Sequence, residues 1–170
     1  MIPDSSKTNV APLALIVLVI TGLVIACGGR RAGPVSASAS EGYCPVCKMR
    51  VKAQDRWATE IFYEDGTKLM FESPGDMLTF YSSPAGYDVP DSHKEKASIE
   101  RIQVRDYGTG DPINIDQASL AYKSKVQSPM GPDLIPFANK SDAIRFIEEH
   151  GGTLISFGDV TPEIVRNLRK

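Results

Sequence analysis

"WATEIFYEDGTKLMFESPGDMLTFYSSP", residues 57–84, contains two extended runs joined at Glu64-Asp65-Gly66, followed by a short helical pattern. An Asp-Gly turn between β-prone segments is a strong hairpin signal, because glycine readily takes the backbone angles a tight turn requires. Ser73 suits a helix N-cap and Pro74 the first helical position. Asp76 falls in the first turn, where a negative charge favours the dipole. Met77, Leu78, Phe80 and Tyr81 supply an apolar face, and Ser82-Ser83-Pro84 ends the helix. With the extended run "IERIQVRD" (99–106), the segment predicts β-β-α-β.

The same order returns downstream as "AYKSKVQ", the loop "SPMGPD", "LIPF", a helical stretch and "GTLISFGD" (152–159). Sliding Phe71 onto Phe137 also lays Ser73 on Asn139, Asp76 on Asp142, Leu78 on Ile144 and Phe80 on Phe146. Any two capped amphipathic helices resemble each other, but here the preceding hairpin and the following strand agree as well. The expected fold is therefore α+β, with two related β-β-α-β units over 42–110 and 111–170. Residues 84–98 form the longest loop, and "TPEIVRNLRK" (161–170) reads as a terminal helix, with Thr161 as cap and Pro162 in its first turn.

Upstream lies a different composition. From Leu13 to Ile25 the chain is nearly all apolar, the length of a signal-peptide core and short of the roughly 20 residues that span a bilayer. It ends in Val24-Ile25-Ala26-Cys27, which resembles a bacterial lipobox. That resemblance implies a signal peptide over 1–26, cleavage before Cys27 and lipidation of its sulfur. Residues 27–41, rich in Gly, Ala and Ser, then read as a tether. The expected location is outside the cytoplasm, anchored by lipid to a bacterial membrane, on the periplasmic side if the cell has an outer membrane. The formal charge of −2 and the lack of a basic stripe argue against nucleic acid as a partner.

"GYCPVCKM", residues 42–49, gathers two of the three cysteines with a methionine. A structural zinc site needs four Cys/His ligands, and His93 and His150 lack ligand spacing. A thioredoxin-like pair needs a strand before it and a helix after it, neither of which the flanking sequence predicts. A Cys44–Cys47 disulfide remains open, because thiols outside the cytoplasm tend to be oxidised. So does Cu(I), which soft thiolate and thioether donors select. On an extended backbone, Cys47 and Met49 would point to one side and could meet one ion.

Cys44-Pro45-Val46-Cys47-Lys48-Met49, "DGTKLMFES" with Asp76-Met77-Leu78, "SPMG" at 128–131, "PFANKSDAIRFIEEHGG" at 136–152 and the lipobox occur in order. Together they resemble the NosL family, lipoprotein accessory factors of nitrous oxide reductase. The resemblance implies a membrane-tethered Cu(I) metallochaperone, not an enzyme, that delivers copper to maturing nitrous oxide reductase beside an ABC-type membrane complex. The family's Cys-x-x-Cys-Gly-Met motif falls on Cys44, Cys47 and Met49, with Lys48 where the pattern carries glycine. Met130 is by the same resemblance a third ligand or a docking residue, against the alternative of a packed loop methionine. His93 is a further imidazole that would suit copper. His150, before two glycines, reads as a helix C-terminal residue. Two other functions compete: an extracytoplasmic thiol-disulfide oxidoreductase using Cys44 and Cys47, and a general copper or heavy-metal scavenging lipoprotein.

Overall fold

The computed structural model describes residues 40–168; Cys27, the expected signal peptide and the tether up to residue 39 lie outside them. Among the described residues no helix is long and apolar enough to cross a membrane. The fold is mixed α/β, with helices laid on antiparallel sheets.

The hairpin that opens the first unit is β3 (Thr59–Tyr63) and β4 (Lys68–Phe71), paired from Thr59↔Phe71 to Phe62↔Lys68. Gly66 takes φ +82° in its turn, and Asp65 Oδ1 accepts a hydrogen bond from the Thr67 amide at 2.8 Å. Helix α1 (Pro74–Ser82) starts where Ser73 Oγ accepts from the Asp76 amide at 3.3 Å. Its Met77, Leu78 and Phe80 are buried, and Phe80 meets Phe71 with ring centroids 5.3 Å apart. Strand β5 (Ile99–Arg105) returns along the other edge of β3, and β6 (Pro112–Asn114) extends the sheet to the order β4-β3-β5-β6. Central β3 buries Glu60 too, and that charge is matched by Lys68 at 2.7 Å and Arg105 at 3.9 Å. Burial without such partners would be costly for a carboxylate.

The second sheet uses the same arrangement. Strand β7 (Ser119–Tyr122) is central, with β10 (Ile135–Phe137) on one edge and β11 (Thr153–Ile155) on the other. Between β10 and β11 runs α2 (Lys140–His150), whose Ala143 and Phe146 pack with Ala121, Ile135 and Phe137. The hairpin expected from "AYKSKVQ" to "LIPF" forms only at its base, where β7 pairs antiparallel with β10 from Ser119↔Phe137 to Ala121↔Ile135. Lys123 turns the chain with φ +59°, and the residues between make their own ribbon, β8 (Gln127–Ser128) and β9 (Gly131–Pro132). Gly152 fits beneath that kink, where a Cβ would lie 2.6 Å from the Tyr122 carbonyl oxygen. Asn139 stands at the N-cap of α2, but its side chain turns to Asp142 instead of capping the backbone.

Residues 84–98 are ordered as three short 3-10 turns. They are fastened by His93, whose Nε2 lies 2.8 Å from Asp65 Oδ2 and whose carbonyl accepts from the Tyr63 hydroxyl at 3.0 Å. The hydrogen bond with His93 lowers the Asp65 carboxyl to about 2. His150 does close α2, its ring tilted against Phe146 with centroids 4.5 Å apart, with Gly151 at φ +72° beyond it. The terminal helix α3 (Pro162–Leu168) is capped by Thr161 and buries Val165 and Leu168 beside α1.

One element has no counterpart in the sequence expectations. Strands β1 (Glu41–Tyr43) and β2 (Arg50–Lys52) form a separate two-stranded ribbon, paired Glu41↔Lys52, Gly42↔Val51 and Tyr43↔Arg50. Val51 is buried, and Gly42 lies so near Met70 that a Cβ would sit 3.1 Å from its Sδ. The ribbon thereby leans on β4.

Candidate metal centre

Residues 44–49 form the loop that joins β1 to β2. The Cys44 amide donates to the Met49 carbonyl at 2.9 Å, and the Lys48 amide donates to the Cys44 carbonyl at 2.9 Å. The Cys47 amide points at Cys44 Sγ, 3.5 Å away. Such a closure needs one residue in the left-handed region, and Lys48 takes it at φ +64°. The backbone from Cys47 to Met49 is consequently not extended, as the sequence pattern had suggested. Instead the turn curls Cys47 back towards Cys44.

A non-glycine residue in this conformation is strained by about 1–2 kcal/mol, from the approach of Cβ to the following carbonyl. Glycine would remove the strain but add backbone freedom to the unfolded chain. Lys48→Gly is therefore expected to stabilise the protein by about 0.5–1 kcal/mol net, raising Tm by about 2–5 °C in a thermal melt. A lower Tm would mean that the Lys48 side chain contributes packing that outweighs the strain.

The third member comes from α1. Cys44 Sγ, Cys47 Sγ and a carboxylate oxygen of Asp76 all lie within 4.8 Å of one another, and Cys44 Sγ donates to Asp76 Oδ2 at 3.4 Å. Asp76 is only 2% exposed and occupies the helix's first turn. Burial pushes the Cys44 thiol above its ordinary range, opposed by the amides of Cys47, Glu72 and Val46 and reinforced by the charge of Asp76. Burial likewise drives Cys47 up to about 12, with the Asp76 hydrogen bond adding to it and the Met49 backbone opposing it. Both cysteines are free thiols. At neutral pH they hold their protons until something displaces them.

Cys44 is fully buried, Cys47 is half-buried, and Met49 sits outside them with 38% of its surface exposed. A buried carboxylate thus adjoins one buried and one half-buried sulfur, and an exposed methionine follows two residues after Cys47 in the chain. Met130 occupies the turn of the β8–β9 ribbon, where its amide donates to Ser128 Oγ at 3.1 Å. That ribbon is tied to α1 by Asp133, a buried carboxylate that accepts from the Gly75 amide at 2.6 Å, the Leu134 amide at 2.8 Å and Ser128 Oγ at 2.8 Å. His93 and His150 are engaged elsewhere, with Asp65 and Phe146 respectively.

Asp76 is the member of the cluster that the sequence expectations assigned only to the helix dipole. No local signal marked it, since an aspartate at the same place after an N-cap, Asp159, closes the reciprocal cap instead, accepting from the Ser156 amide at 2.8 Å.

A family model described as NosL matches residues 34–165. No curated protein matches the chain. The crystal structure of the copper chaperone NosL from Shewanella denitrificans is similar with a TM-score of 0.60 at 23% identity, covering 73% of this chain and 92% of that one. The solution structure of apo-NosL from Achromobacter cycloclastes aligns at 24% identity with a TM-score of 0.46, covering 63% and 87%. The matched span takes in the Cys44–Cys47 turn, Asp76 and both helix-bearing sheets, and on that span the chain belongs to the NosL family.

Proposed function

We propose that this protein is a Cu(I) metallochaperone that loads copper at Cys44, Cys47, Asp76 and Met49 and delivers it to maturing nitrous oxide reductase. The observation that carries this is the tight turn that sets two thiols beside a buried carboxylate, with exposed Met49 two residues beyond Cys47. Soft sulfur donors select Cu(I) over harder ions. A site buried on one side and open at a methionine lets an acceptor's ligand join before the donor's leave. The relative from Shewanella denitrificans is described as a copper chaperone, which supports the same assignment here. Met130, on the ribbon that Asp133 holds to α1, is a further candidate ligand.

The lipobox supports a lipid anchor at Cys27 on the outer side of a bacterial membrane, and the ABC-type maturation complex is the corresponding partner there. The matching order of the two sheets supports an origin by duplication, with units at 42–110 and 111–170. A thiol-disulfide oxidoreductase is disfavoured on physical grounds. Its attacking sulfur needs a lowered pKa, usually at a helix N-terminus, whereas Cys47 is pushed up to about 12 within a ribbon turn. The same observation supports a non-catalytic role.

Anaerobic competition for Cu(I) against a coloured chelator tests the assignment, and its pH dependence is the sharper readout. Copper must displace protons from thiols that titrate well above neutrality. Apparent affinity should then rise with pH between about pH 6 and pH 8, by about tenfold per unit for each proton displaced. The expected slope lies between one and two. A flat profile would show that the thiols are not the ligands. Transfer to apo-nitrous oxide reductase, measured from the loaded protein, separates delivery from scavenging, which shares the same ligand chemistry.

A further inference from the structure

The β1–β2 ribbon presents one face to the core and one to solvent. Gly42 and Val51 point inward, while Glu41, Tyr43, Arg50 and Lys52 alternate onto the outer face. Tyr43 is 71% exposed, the largest value among the exposed large hydrophobic side chains of the described residues, and directly precedes Cys44. Lys48 stands at the turn beside exposed Met49. Arg50 is ion-paired with Glu41, whereas no carboxylate pairs with Lys48 or Lys52 among the described residues. Across residues 41–56, Lys48, Arg50, Lys52 and Arg56 face only Glu41 and Asp55, leaving a net charge of two positive on a chain whose total is −2. Behind the sulfurs the polarity reverses, with Asp76 buried and Glu72 half-buried.

We infer that this outer face is the docking surface for the protein that exchanges metal with the site, and that the matching surface of that partner is acidic with an apolar seat for Tyr43. The inference deepens the copper-delivery assignment and rests on it. Cargo has to pass at Met49 and Cys47, so a partner must cover the ribbon that carries them. An exposed aromatic beside cations is the composition of an interface anchor with a charged rim. Rim charges of one sign chiefly set association rate and its salt dependence. The internal carboxylates stay behind the thiols, so an approaching acidic surface meets cations first.

The test uses the full chain in neutral detergent micelles, loaded with Cu(I), and two synthetic peptides with the same Cys-x-x-Cys ligands flanked by glutamates in one and lysines in the other. Stopped-flow transfer should be faster to the glutamate peptide by about tenfold at low salt, with the advantage collapsing at high salt. In the Arg50→Gln/Lys52→Gln variant the preference should fall below about twofold while Cu(I) affinity changes by less than about threefold. Tyr43→Ser should slow transfer to the glutamate peptide and leave the salt dependence in place. Equal rates to both peptides, or a preference untouched by the double variant, would overturn the inference. Association with phosphatidylglycerol-doped micelles without any peptide preference would also overturn it, reassigning the face to a lipid surface. If the protein takes up no Cu(I), the copper assignment fails by itself. Chemical-shift mapping with cysteine-free versions of the two peptides then still decides where, and whether, an acidic chain docks.

Discussion

Cys47→Ser is expected to lower Cu(I) affinity by about a thousandfold or more. Removing a partner that only supports a ligand usually costs 10–100-fold in affinity, and replacing a soft thiolate by a hydroxyl removes the ligand itself. Asp76→Asn should cost less, about 10–100-fold, because a hard carboxylate is a weaker donor to Cu(I) than a thiolate and the loss of its charge eases deprotonation of both thiols. Met49→Leu keeps volume and removes the thioether, so it isolates the contribution of the exposed rim. Chelator competition on the three variants measures the series directly. Cys47 is half-buried, so its substitution should leave the melt nearly unchanged, and a loss of binding would then be local. Parent-like affinity in Cys47→Ser would remove the metal centre from this turn.

The second large effect falls on a residue that touches no sulfur. Asp133→Ala should destabilise the protein by about 3–5 kcal/mol, because it leaves the Gly75 amide, the Leu134 amide and the Ser128 hydroxyl without their shared acceptor. Asp133→Asn keeps an acceptor oxygen and should cost about 1–2 kcal/mol. Urea unfolding followed by circular dichroism distinguishes the two. The alanine variant should also bind Cu(I) more weakly at temperatures where it remains folded, since Asp133 holds the first turn of α1, which carries Asp76. Wild-type stability in Asp133→Ala would show that water replaces all three hydrogen bonds.

The hairpin and capped helix of the first unit were legible because every local signal there agreed. The Asp-Gly turn, Ser73 cap and apolar spacing all favoured one structure, and burial of Phe71 and Phe80 rewarded it. In the second unit the strand pattern runs on past Tyr122, and only the left-handed Lys123 with Gly152 beneath it breaks the run. That break depends on a contact between residues thirty positions apart, which no local pattern encodes. The β1–β2 ribbon was hidden for a related reason. Its strands are three residues each, and Val51 is its one fully buried side chain, too little for a periodicity to register. The cysteines announced themselves by rarity, whereas Asp76 joined them only when the ribbon folded back onto the helix.

The contact between Cys44 and Asp76 joins segments 32 residues apart in the chain. A metal ion held by both would act as a removable cross-link, closing a loop that otherwise rests on weak thiol–carboxylate hydrogen bonds, the burial of Cys44 and Val51, and the packing of Gly42 on Met70. Its binding energy would then add to folding, by about 4 kcal/mol when free ligand stands at a thousand times its dissociation constant. Loaded and empty protein would therefore differ in lifetime under proteolysis, the N-terminal ribbon being the segment that opens first once the ion departs. The fold would carry its own tally of cargo: a chain that has handed over its metal is also the one most easily cleared.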